Sequence, residues 1–414
     1  MGNSAGKEND INNLMHVTIV KDADLPKAEV AQNNASVWKI INERYWELEM
    51  NQFKGFEEFN FFRAINPGFH VGTAEKRPGI VVGDQESFQG YKELYDFCYT
   101  DTYKEDKEEV EEGDRNADQA EEVEDVTPPV PETRLLNINA NNLPNVEDVT
   151  ALKRMYLKAE RNIVGLPLLP GVNSVEQLQE IMDVLVTACK SFEGLLEITE
   201  GNTFKLDEVK SKKLNDLSEK GLAKKPDDPY LKCAGVARWW PQGRVVAYGI
   251  DPGFHVIINQ YEHLKLEWTI QQGAYVSSFH KFFKALNSFH KLLKRKQLGG
   301  FWKDPKYGYI SVDPAKFGTM FSCELDFTVH AIPMYFSKEE IVEECDSCLG
   351  IIIIPLDTRN TYTMRVKEPQ WMNEVEQLGL LLNSVNRLAQ IDRSLYFSPR
   401  NAGDTLFNLA SLKS

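Results

Sequence analysis

Along LKLEWTI, residues 264–270, Leu264, Leu266, Trp268 and Ile270 alternate with Lys265, Glu267 and Thr269. Period-two alternation of this kind predicts a strand with one buried and one polar face. FHVII (254–258), YGYISV (307–312), LDFTVHAI (325–332) and GIIIIP (350–355) read as further strands. Elsewhere the period lengthens to that of a helix. Phe279, Phe282, Phe283, Leu286, Phe289 and Leu293 form an apolar stripe, and WMNEVEQLGLLLNSVNRL (371–388) predicts a late helix packed back on the sheet. Ser174 followed by Gln177 marks a helix start ahead of Leu178, Ile181, Met182 and Leu185. Several strands follow one another without an intervening helix. That order favours a mainly antiparallel sheet flanked by helices, an α+β fold, over a simple βαβ repeat.

The N-terminal part has a different texture. Residues 1–33 are polar and without a sustained period, which predicts a mobile tail. Behind Ser36, a plausible N-cap, Val37, Ile40, Ile41, Tyr45 and Leu48 recur at helical spacing, and SFQGYKELYDFCY (87–99) predicts another short helix. Residues 34–103 therefore read as a small helical domain and 134–414 as the larger α/β domain. Between them the composition shifts abruptly. Lys104–Asp125 holds twelve acidic residues against three basic ones, a local −9 within a chain total of −15, and TPPVPET follows. Such a segment has too little apolar surface to offset its chain entropy, so 104–133 is expected to be a disordered acidic linker or insertion.

Charge and composition narrow the function classes. A net charge of −15 and a pI near 5.1 disfavour a nucleic-acid binder, which needs a basic face against phosphate. No apolar run approaches the roughly 20 residues that span a bilayer. The start, MGNSAGKEND, has no apolar signal core. It offers Gly2 for an N-myristoyl anchor, but Gly6 stands where Ser or Thr is usual. Of six cysteines, only Cys345 and Cys348 are close in sequence, and this lone CxxC has no second pair to complete a zinc site. Phosphate-binding G-x-x-x-x-G-K-(S/T) and dinucleotide-binding G-x-G-x-x-G patterns are missing from the sequence.

Four stretches nonetheless carry a recognisable pattern. RWWPQGRVVAYGIDPGFHVIINQYEHLKLEWTIQQG resembles the phosphagen (ATP:guanidino) kinase segment that runs from W-P-x-x-R-G-I to N-E-E-D-H-L-R. YGYISVDPAKFGT resembles that family's G-(Y/F)-(I/L)-T-x-C-P-(S/T)-N-L-G-T. GIVVGDQESFQGYKELYD is similar to the G-(I/V)-x-x-x-D-x-E-S-Y stretch of its helical domain, and LKAERNIVGLPLLPG to R-V-R-x-G-R-S-(I/L)-x-G-x-P. The matches fall in the family's order and cover most of residues 75–330. They imply the family fold and, as the starting expectation, in-line phosphoryl transfer between ATP and a guanidine. That chemistry depends on cations around the phosphates and on alignment of the reactants.

The positions that would perform it have changed. The guanidine-holding Glu becomes Tyr261, preceded by Gln260, and the closing Arg of the same motif becomes Lys265. The cysteine before Pro becomes Asp313, and the Asn beyond it Lys316. The paired arginines of R-V-R become Tyr156 and Lys158, leaving Arg161 from G-R-S, and the specificity-loop aromatic falls at Val81. The R-G-T-R-G-E loop expected after a strand ending at Pro333 is replaced by a stretch without arginine, and Ser322 lies where the arginine after the Gly-Thr pair would be sought. Losing one preorganised charge clamp costs about 10²- to 10³-fold in rate. Here most of them are absent together, and lysine cannot reproduce a bidentate fork.

The resemblance thus implies a pseudoenzyme with no catalytic residues, its degenerate positions being Tyr261, Asp313 and Val81. Lys158, Arg161 and Lys265 are the vestigial nucleotide-binding candidates. No cofactor is expected, residual ATP, ADP or Mg²⁺ being the exception to look for. Its role would be structural or protein-binding in a larger cytoplasmic assembly, cytoskeletal or ciliary by analogy with motile machinery, alone or as a homodimer. The alternatives are a divergent ATP:guanidino phosphotransferase and a non-catalytic ATP/ADP sensor.

Overall fold

In the computed structural model, the described residues are 35–37, 59, 61–70, 77–103, 143–144, 151–271, 275–367, 369 and 372–397. The expected tail, the acidic segment 104–133, Gly2 and most of the predicted Val37–Leu48 helix lie outside them.

An eight-stranded antiparallel sheet organises the chain. Its strands are β1 (Leu152–Arg161), β2 (Ile198–Lys205), β3 (Val245–Gly249), β4 (Phe254–Ile258), β5 (Leu264–Gln271), β8 (Phe321–Thr328), β9 (Ile351–Pro355) and β10 (Thr361–Val366), in the order β2-β3-β4-β5-β1-β8-β10-β9. A separate two-stranded ribbon joins β6 (Lys303–Asp304) to β7 (Gly308–Tyr309). β1 lies near the middle, hydrogen-bonded to β5 on one side and β8 on the other.

Alternation along these strands separates two faces. Met155, Leu157 and Ala159 of β1, with Leu264, Leu266 and Trp268 of β5, are buried on one of them. The Tyr275–Arg295 helix lays its aromatic stripe there: Phe279 and Phe283 stand 5.9 and 5.2 Å, centroid to centroid, from Phe321 of β8. Tyr156, Lys158 and Glu160 of β1, and Lys265 and Glu267 of β5, occupy the other face. The register sets Lys158 opposite Glu267 and Glu160 opposite Lys265.

The predicted helix at 87–99 is two helices, Gln85–Gly90 and Lys92–Tyr103, the first capped by the Asp84 side chain accepting from Ser87 N at 2.7 Å. Both pack into the same core as the sheet. Phe88 meets Trp302 and Phe317 edge-on at 5.6 and 6.1 Å. Ser174 caps the Val175–Cys189 helix as expected, although Gln177 returns its bond to Asn173 N. The late helix runs from Glu374 to Phe397.

Two strand expectations change. The segment read as a strand to residue 332 is β8, ending at Thr328, because the next backbone donors turn outward. His330, Ala331 and Ile332 N–H all donate to the Asp392 carboxylate at 2.6–2.9 Å, and a short Ile332–Tyr335 helix follows. Instead of a loop, the next segment is the Lys338–Leu349 helix, begun by a capping box between Ser337 and Glu340. YGYISV is a strand only at Gly308–Tyr309. Beyond it, Ile310 N bonds to the Trp302 carbonyl and Val312 N to the Glu262 carboxylate. Gly308, at φ 78°, passes so close to Gly318 that a Cβ would stand 2.5 Å from the Gly318 carbonyl oxygen.

Candidate functional site

The turn from Asn259 to His263 joins β4 to β5 and faces two ways. Its inner side is buried and hydrogen-bonded to neighbouring segments. Asn259, in a left-handed conformation (φ 59°) that asparagine tolerates, donates to the Gly243 carbonyl at 2.9 Å. His263 Nδ1 accepts from Ile163 N at 3.1 Å while Nε2 lies 2.8 Å from the Pro167 carbonyl, which fixes the neutral Nε2–H tautomer. Burial holds its pKa down to about 4.

Glu262, between them, is only 3% exposed. Its carboxylate accepts from Asn162 Nδ2 at 2.6 Å, Ser311 Oγ at 2.5 Å and Val312 N at 3.1 Å. Burial pushes its pKa up to about 7, with Lys316, Ser311 and Asn162 pulling the other way. This one side chain ties the end of β1, the β4–β5 turn and the 310–312 segment together.

The outer side of the turn opens on the polar face of the sheet. Tyr261 is half-buried, and the Lys316 ammonium stands 5.7 Å from its ring centroid. Enclosure in the cleft lowers the Lys316 pKa, but the carboxylates of Glu160, Glu262 and Asp313 outweigh it and keep the ammonium above its ordinary value. Asp313 does not receive the Tyr261 hydroxyl, the pairing that a packed pocket suggests. It caps the Pro314–Lys316 turn instead, accepting from Ala315 N at 3.0 Å. Burial raises its pKa above the ordinary carboxylate range.

The sequence-derived cations divide between the two faces. Lys158 Nζ pairs with Glu160 Oε2 at 3.1 Å, and Lys265 Nζ with Glu267 Oε1 at 2.9 Å. Glu267 also accepts from the Tyr156 hydroxyl at 2.7 Å. Arg161, three residues from Lys158 on a period-two strand, points to the core instead. It is fully buried, gives one nitrogen to the carbonyls of Glu160, Thr319 and Met320, and lies 3.8 Å over the Tyr309 ring. Its other terminal nitrogen is 3.7 Å from the equally buried Glu374. Arg244 is likewise interior, donating to the carbonyls of Val236, Gln242 and Arg238. Val81 is fully buried, its N–H on the Ala64 carbonyl and its own carbonyl accepting from the Tyr95 hydroxyl.

Glu160 is the residue sequence reading passed over. It falls where the R-V-R-x-G-R-S pattern has glycine, and it is 7% exposed. Burial would raise its pKa, but Lys158, Lys316 and Lys265 together hold it below the ordinary carboxylate value, so it is ionised. The alternation Tyr156, Lys158, Glu160 could have placed it beside Lys158. The lysines of two other segments could not have been foreseen. Among the described residues, no group of three or more His, Cys, Asp or Glu is arranged to hold a metal ion, and Cys345 is a buried free thiol.

Comparison with known proteins agrees with this architecture. Residues 180–347 match the ATP:guanido phosphotransferase C-terminal catalytic domain. A glycocyamine kinase of Hediste diversicolor is 24% identical over 281 residues, which cover 68% of this chain and 64% of that protein. The flagellar creatine kinase of Strongylocentrotus purpuratus is 22% identical over 353 residues, 83% of this chain and 27% of the relative. The chain therefore spans less than two thirds of either relative. The crystal structure of lombricine kinase superposes with a TM-score of 0.74 at 19% identity, covering 94% of this chain and 99% of that one.

Proposed function

We propose that this chain, which belongs to the ATP:guanidino phosphotransferase family, does not transfer phosphate and serves as a structural or protein-binding subunit. One observation carries the reading. Where the resemblance places the carboxylate that would hold a guanidinium, Tyr261 presents a neutral ring, and Lys316 sets an ammonium 5.7 Å above it. A cationic substrate would meet an ammonium in place of that carboxylate, and like charges facing one another disfavour binding. The buried settings of Arg161 and Arg244 support the same reading. Both guanidinium groups are buried and donate to backbone carbonyls.

For location and partners, the cytoplasm and a motile or cytoskeletal assembly are the proposal, supported by one relative being a flagellar creatine kinase. Among the described residues no helix is long and apolar enough to cross a membrane. The test is a coupled ADP-release assay with Mg-ATP and a panel of glycocyamine, lombricine, arginine, creatine and taurocyamine. The expected result is no release above background with any of them. Guanidine-dependent ADP release that Lys265→Ala abolishes would establish the divergent phosphotransferase instead. Micromolar ATP binding without turnover would establish the nucleotide sensor.

A further inference from the structure

The Tyr275–Arg295 helix buries one face against the apolar side of the sheet and turns the other to solvent. The outward face carries Lys281, Lys284, Lys291, Lys294 and Arg295, with Lys296 just beyond the last turn, and all six are exposed. No Asp or Glu occurs between Glu267 and Asp304, in a chain whose net charge is −15. Each of the other described helices of eight residues or more includes acidic residues. Cations three and four positions apart, as in Lys281–Lys284, Lys291–Lys294 and Lys291–Arg295, repel one another, so solvation alone would be better served by mixed signs. Among the described residues, Lys284 alone of the six has a carboxylate within ion-pair reach, Glu193 at 3.9 Å, and both side chains are largely exposed. Beside the first half of this stripe lies a groove of about 390 Å³. Its walls are Lys281, Lys284, Ala285 and Ser288 of the helix, and Ser191 and Leu195 of the segment before β2. Leu195 is 48% exposed.

We infer that this face is a docking surface for an acidic peptide segment of a protein partner, its carboxylates set along Lys281, Lys291, Lys294 and Arg295 and an apolar side chain seated in the groove beside Leu195 and Ala285. Charge complementarity names the sign of the partner. Six cations on one exposed face of an otherwise acidic chain attract an anion and repel a basic surface. The groove decides the kind of anion. An extended chain can enter it, whereas the surface of a bilayer cannot. The helix also has no apolar stripe left to insert into lipid, since Phe279, Phe282, Phe283, Leu286, Phe289 and Leu293 are buried in the core. A long polyanion such as RNA would meet the negative balance of the rest of the chain, while a short acidic segment meets the local field, which salt screens within about 10 Å. The surface lies on the side of the sheet away from Tyr156, Lys158 and Lys265. The inference therefore rests on the protein-binding part of the proposed role and is independent of the loss of phosphoryl transfer.

The test uses the full chain and a fluorescein-labelled peptide of Glu-Glu-Leu-Glu-Glu repeats, followed by fluorescence anisotropy at low and at physiological ionic strength. The wild type should bind it, and binding should weaken as salt rises. Lys291→Glu combined with Arg295→Glu should weaken binding by at least about tenfold. Lys210→Glu combined with Lys212→Glu changes the net charge equally at exposed positions elsewhere, and should leave binding within about twofold of wild type. Leu195→Ser should weaken binding of this peptide and leave that of an all-glutamate peptide unchanged. Absence of peptide binding by the wild type, or equal loss in the two charge-reversed pairs, would overturn the inference. So would a Leu195→Ser variant that binds both peptides as the wild type does. Capture of the chain by phosphatidylserine vesicles or poly-U RNA through Lys291 and Arg295, with the peptide left unbound, would overturn it in favour of those partners. Kinase activity in the ADP-release assay would overturn the non-catalytic reading and leave the peptide result standing, and loss of peptide binding would leave that assay unaffected.

Discussion

The inner and outer sides of the Asn259–Lys265 segment have fared differently on one backbone. On the inner side Asn259, Glu262 and His263 are almost inaccessible, and each of the three side chains has a hydrogen-bond partner in a neighbouring segment. On the outer side Tyr261 and Lys265 face the cleft, the first under the Lys316 ammonium and the second paired with Glu267. The two sets of side chains answer to different constraints. A buried polar group must be matched or the structure weakens by about 1–3 kcal/mol for each one left bare. A cleft-facing group is held only by the use made of the cleft.

That contrast can be broken at its strongest point with Arg161. Although the sequence groups it with Lys158 and Lys265, its setting is internal. Arg161→Ala should destabilise the fold by about 3–5 kcal/mol in urea unfolding, since it strips three carbonyls of a donor and leaves Glu374 buried without its cation. Lys265→Ala, in the cleft, should cost clearly less, about 1–2 kcal/mol, because Glu267 keeps the Tyr156 hydroxyl as a partner. Similar losses for the two would erase the distinction between the faces.

Glu262 is the next test. Glu262→Ala should lose about 3 kcal/mol, because Asn162, Ser311 and Val312 would be left with unmatched donors. Its titration gives a separate signature. With a folded pKa near 7 against an ordinary 4.5, the folded state keeps the proton that the unfolded state releases. The contribution of Glu262 is fully present below pH 4.5 and is lost as pH rises toward 7, on the order of 3 kcal/mol in all. His263 acts in the opposite sense. Its folded pKa of about 4 lies below the ordinary 6.5, so acidification through that range weakens the fold. Because the two oppose, the difference between wild type and Glu262→Gln isolates the carboxyl. The variant should lack the decline between pH 4.5 and 7, and parallel profiles would show that Glu262 does not hold its proton.

The smallest expected effect lies at Tyr261. Read as a ring sealing a dry pocket, it should resist replacement by a carboxylate. The structure shows instead a half-buried ring under Lys316, with Asp227, Lys224 and Asp228 also acting on it. A carboxylate would meet charges of both signs there, so Tyr261→Glu should shift stability by no more than about 1 kcal/mol. A loss of several kcal/mol in chemical unfolding would return Tyr261 to the core.

The alternation in LKLEWTI fixed which side of β5 would be buried, because side-chain direction on a strand follows from residue parity. The aromatic stripe of 279–293 and the capping residue Ser174 were equally local, as were the substitutions at Tyr261, Asp313 and Lys158. The limits of β8 and of YGYISV were not. Asp392, about sixty residues on, captures the donors of His330, Ala331 and Ile332, and Glu262 captures that of Val312. Nor could the sequence say that Arg161 enters the core while Lys158 faces the cleft, or that Glu160 pairs with Lys158 and Glu267 with Lys265. Charges act through space with a reach of several ångströms, and the antiparallel register brings Lys158 opposite Glu267 and Glu160 opposite Lys265. Local pattern determined the elements and their apolar faces; the pairing of distant segments decided which charges meet.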